Sequence, residues 1–148
     1  MNDLLYANNE GLTRAFILAK QGARSADEPK YFTVECAREF FLTFTERKLW
    51  KVTADDVNKY FVYSLMTIFD EHEKSIKYNY LSQIEWVEML CRLALIGFKG
   101  TEIDLEPISS KVEHFLEGMW VYFYYMQYWD ENDEGLRLIK LNSEFFED

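Results

Sequence analysis

A chain of 148 residues, 49% hydrophobic and 18% aromatic, is long enough to close one sizeable core and gives no reason to expect a second domain. Twelve Phe, ten Tyr and four Trp against six Gly and two Pro favour long elements over many short strands. A formal net charge of -10 argues against phosphate backbones and anionic membrane surfaces, which need a cationic face, and favours a basic or neutral partner.

The chain opens with MNDLLYANNEGLTRAF, where no basic segment precedes an apolar run, so no signal peptide is expected. Leu12, Phe16 and Ala19 form a weak helical stripe that predicts a helix near 8–23, fading before the break Ala26-Asp27-Glu28-Pro29. Thr33 caps a second helix over 33–46. The basic-aromatic run Arg47-Lys48-Leu49-Trp50-Lys51 follows, and it lacks the surrounding positive charge of a nucleic-acid site. It reads as a helix end with cations near the last carbonyls. Thr53 with Asp56 three positions on is a capping box, and Val57, Phe61, Leu65, Ile68 and Phe69 carry the helix over 54–70. Ser82 with Glu85 repeats the device ahead of a helix over 82–97. Ser110 with Glu113 repeats it again before Val112, Phe115, Leu116, Met119, Trp120 and Phe123, predicting a helix over 110–129 and then an acidic tail.

No segment alternates with period two, so the expected fold class is all-α, one domain over 1–148. Phe61, Leu65, Ile68, Leu90, Leu93, Phe115 and Trp120 are expected to be buried together, since their spacing sets them on single helix faces. The most apolar stretch, Met119 to Trp129, is far short of the ~20 residues that cross a bilayer. Cys36 and Cys91 stand alone without CxxC spacing and read as buried thiols of an intracellular protein. His72 and His114 have no second ligand at zinc spacing. A glycine-rich phosphate loop, GxSxG and HExxH are all missing, so no catalytic residue, cofactor, metal or small-molecule substrate is expected.

Phe69 to Leu90, FDEHEKSIKYNYLSQIEWVEML, invites comparison with a twelve-residue calcium loop. Such a loop needs oxygen ligands at positions one, three and five, Gly at six, an apolar residue at eight and a bidentate Glu at twelve. Counted back from Glu85, Leu81 is the apolar residue and Ser82 starts the exiting helix, but the ligand positions hold Lys74, Ile76 and Tyr78 and the glycine position holds Asn79. Counted forward from Asp70, Leu81 takes the closing position and Lys77 the apolar one. Neither register makes a cage, and Glu85 reads more simply as the capping partner of Ser82. Asp130, Asn132, Glu134 and Gly135 mimic another loop start, but Arg137 and Leu141 occupy its apolar and closing positions. A solvated acidic turn explains them.

With helix 54–70 before it, Leu81-Ser82-Gln83-Ile84-Glu85-Trp86 resembles the EF-hand superfamily of calmodulin and centrin in a degenerate form without metal. Phe32-Thr33-Val34-Glu35-Cys36 supplies the matching half of an earlier hand. There Cys36 stands at the closing position, and Ser25, Asp27 and Pro29 fall on ligand positions. Trp86 to Ala94 is similar to the exiting helix of degenerate hands in ciliary and flagellar scaffold proteins. The resemblance implies a helix-pair region over 8–97, followed over 108–148 by an additional long aromatic C-terminal helix and the acidic tail. It also implies a place in a ciliary or cytoskeletal assembly.

Val121 to Trp129 is aromatic on every face, and such a helix is buried in a core or against a partner. The expected function is therefore a non-catalytic scaffold or adaptor that holds an amphipathic or basic protein segment, independently of calcium. Tyr122, Tyr124, Tyr125, Tyr128, Trp129 and Trp86 are the candidate partner-binding residues. Two other readings stand beside it: a calcium sensor, and an acidic protein that imitates DNA to inhibit a nucleic-acid-binding protein.

Overall fold

In the computed structural model, which describes residues 2–22, 31–65 and 80–125, helices form where caps and apolar periods coincide. They are α1 (Asn2–Ala7), α2 (Asn9–Gly22), α3 (Val34–Glu46), α4 (Ala54–Ser64), α5 (Gln83–Gly97) and α6 (Ile108–Tyr125). The described residues are thus all-α, and their one extended feature is an isolated antiparallel bridge between Phe32 and Leu81. Residues 66–70 and 126–129, expected to extend α4 and α6, lie outside the described residues.

The caps fall where the side-chain chemistry puts them. Thr33 accepts from the Cys36 amide, while Thr53 with Asp56 and Ser82 with Glu85 close both halves of a capping box. The expectation at Ser110 needs correction. Ser110 lies inside α6, and its amide and that of Lys111 both donate to the Pro107 carbonyl, at 3.0 and 3.2 Å. Proline lacks an amide hydrogen, so at a helix start it leaves one fewer donor unsatisfied, and Pro107 sets the beginning that a hydroxyl sets elsewhere.

The short α1 shows no readable period because its 6 residues make fewer than two turns. Asn8 separates it from α2: its side-chain amide donates to Leu4 O at 2.8 Å, while its own carbonyl accepts from Leu12 N at 2.8 Å.

Each helix turns one face to a common core. α4 packs on α3 and α5, α2 also packs on α3 and α5, and α6 lies along α5. The ring pairs Phe44 with Phe115, Phe44 with Tyr122, and Phe40 with Phe123 join α3 to α6. Phe61, Leu90, Leu93, Phe115 and Trp120 are buried as expected, and Leu65 packs half-buried against them. Ile68 lies outside the described residues.

Trp50, read from sequence as part of a helix end, proves central to this core. Its indole stacks on Phe115 at 4.1 Å between centroids and donates to the Phe41 carbonyl at 3.2 Å. The chain reaches it through a tight reversal after α3. Lys48 takes a left-handed conformation (φ 65°), and the Lys48 and Leu49 amides return to Thr45 O and Phe44 O. The reversal turns the chain back so that Leu49 and Trp50 meet α6 and α5.

Candidate functional site

Two turns in the same register meet through the Phe32–Leu81 bridge. Leu81 N donates to Phe32 O at 2.9 Å, and both side chains are buried. Each bridge residue is followed by the helix cap, Thr33 or Ser82, and then by α3 or α5. The rings of Tyr31 and Tyr80, one residue before each bridge position, lie 4.3 Å apart.

Three residues beyond each cap stand Cys36 and Glu85. Glu85 is fully buried, and its Oε1 accepts from Ser82 N at 2.8 Å, so the carboxylate is held in the capping box. Cys36 Sγ sits 3.4 Å from Thr33 Oγ1 and 3.7 Å from Tyr31 O. The remaining loop positions weighed for calcium, Ser25, Asp27, Pro29, Asp70, Lys74, Ile76, Lys77, Tyr78 and Asn79, lie outside the described residues, as does the Asp130 to Leu141 stretch. Among the described residues no three His, Cys, Asp or Glu side chains gather as metal ligands do. His72 is outside them, and His114 lies edge-on to Phe98 at 5.2 Å.

The candidate partner-binding residues divide by burial. Trp86, proposed from sequence as a surface anchor, is 0% exposed. Its indole sits among Phe16, Phe32, Phe40 and Phe41, because position 86 falls on the face of α5 that carries Met89, Leu90 and Leu93. Tyr122 is half-buried against Phe44, with the Arg47 guanidinium 5.0 Å from its ring centre. Arg47 is also the C-cap of α3, in accord with the helix-end reading of the basic run. Tyr124 is half-buried and Tyr125 is 57% exposed, their rings 5.5 Å apart. Tyr128 and Trp129 lie outside the described residues. The other half of α6 is interior: Val112, Phe115, Leu116, Met119, Trp120 and Phe123 all face the core.

Both cysteines are free, Cys36 buried and Cys91 half-buried on α5. Burial, with Glu88 adding to it, pushes the Cys91 thiol up to about 11. Cys91 should therefore react with Ellman's reagent at pH 8 far more slowly than unfolded chain, whose thiols titrate near ~8.5. The native state prefers the neutral thiol, so its stabilising contribution is complete below the unfolded pKa and is lost as pH rises through about 11. Equal labelling rates for native and unfolded chain would contradict this.

No described helix is long and apolar enough to cross a membrane. Comparison of the chain with protein-family models, with curated proteins and with solved structures returned no match.

Proposed function

We propose that this chain is a non-catalytic adaptor that holds a segment of a partner protein on the aromatic end of α6, independently of calcium. The carrying observation is the change of environment between Phe123 and Tyr125. Phe123 is 2% exposed and Tyr125, about 200° round the helix from it, is 57% exposed, so the aromatic run carries a ring on the outer face of α6 as well as on the inner one. Tyrosine suits such a place, since its ring offers apolar contact while its hydroxyl stays in water. A partner segment with Lys or Arg at its rim would complement the charge of -10 and associate faster, while apolar anchors would set the affinity.

The EF-hand-like reading of α2 to α5 draws support from the Phe32–Leu81 bridge and from the caps that follow it in one register. In that reading the four helices hold the chain's own α6, through Phe40, Phe44 and Trp50. A ciliary or cytoskeletal assembly as the setting rests on the resemblance alone.

Co-purification from the native source, with wild type against Tyr124→Glu and Tyr125→Glu, tests the surface. An interface variant keeps its helix content and thermal midpoint and loses the wild-type partners. If both variants fold and retain every partner, this surface is not the binding site.

Calorimetric titration with calcium should show no site tighter than ~1 mM, because Glu85 is committed to Ser82 and the first ligand positions hold Lys74, Ile76 and Tyr78. Saturable micromolar binding with a rise in thermal midpoint would replace the adaptor by a calcium sensor.

A further inference from the structure

No further inference is drawn: the strongest candidate, the surface corner on α4 where the Tyr60 and Tyr63 rings stand perpendicular, already holds the chain's own Lys59 ammonium, 5.4 and 5.8 Å from the two ring centres, and nothing in the structure shows what else covers it.

Discussion

Replacing Trp86 by Ala should lower the unfolding free energy by about 3–5 kcal/mol, a large part of the ~5–15 kcal/mol that holds a domain folded. The indole is 0% exposed, and its ring centre lies 5.5 Å from Phe16, 5.8 Å from Phe40 and 6.4 Å from both Phe32 and Phe41. These rings come from α2, from the turn before α3 and from α3 itself, so a cavity here is bordered by three segments. Rings of this size cannot collapse into it without moving their helices. Trp86→Phe makes the informative comparison. The buried Trp86 Nε1 has no hydrogen-bond partner among the described residues, so removing it takes away a donor unsatisfied there together with part of the packing. A cost below about 1.5 kcal/mol is expected. Urea unfolding followed by far-ultraviolet circular dichroism measures both variants. A small loss for Trp86→Ala would mean that the indole does not join α2 to α3, and Trp86 would return to consideration as a surface anchor.

Residue 86 also shows what the sequence could and could not say. Helix content and most helix starts were legible because they depend on local chemistry: a hydroxyl, an acid three positions later, and apolar residues three and four apart. Thr53 with Asp56 and Ser82 with Glu85 needed no tertiary information. The same rule misled at Ser110 and Glu113, because Pro107 had already started α6. Pro107 was itself a readable signal, since proline favours the first helical turn.

Core and surface aromatics were harder to separate, because a run that is apolar on every face carries no period to read. In Val121 to Trp129 composition alone could not assign Phe123 to the interior and Tyr125 to solvent. Their difference is one of helix face, since residues two apart point about 200° apart and only Phe123 turns toward Phe40 of α3. Trp50 was hidden for a related reason. It follows three exposed residues of a helix end, Glu46, Arg47 and Lys48, and enters the core only because Lys48 reverses the chain. The candidate site was therefore legible as a composition and not as a surface. Trp86 moved inward, Tyr122 became a half-buried neighbour of Phe44, and Tyr124 and Tyr125 remained at the edge.

The reversal after α3 also explains a glycine in α5. In an exposed helix, replacing Gly by a residue with a Cβ gains up to about 1 kcal/mol, because glycine loses more conformational freedom on folding. At Gly97 the sign should be opposite. An added Cβ would lie 2.9 Å from Trp50 Cε3 and 3.1 Å from Trp50 Cβ and Cδ2. Trp50 has little freedom to retreat, since Phe115 stacks on it at 4.1 Å and its Nε1 is bonded to Phe41 O. Nor can the backbone separate freely, because Lys51 N donates to the Gly97 carbonyl at 2.8 Å. Gly97→Val should therefore destabilise by about 1–3 kcal/mol, the usual range for overpacking a filled core. Gly118→Ala on α6 is the control. Its added Cβ would lie 2.7 Å from Leu49 Cδ1 and Cδ2, a closer approach, but these are the ends of a half-buried aliphatic chain that can rotate away. With the helix-propensity gain set against that adjustment, Gly118→Ala should stay within about 1 kcal/mol of wild type. Parallel urea titrations decide between distance and rigidity as the controlling factor. If Gly118→Ala proves the more damaging, Leu49 is the fixed side chain and Trp50 the yielding one, and the account of the core given by its stacking and hydrogen bond fails.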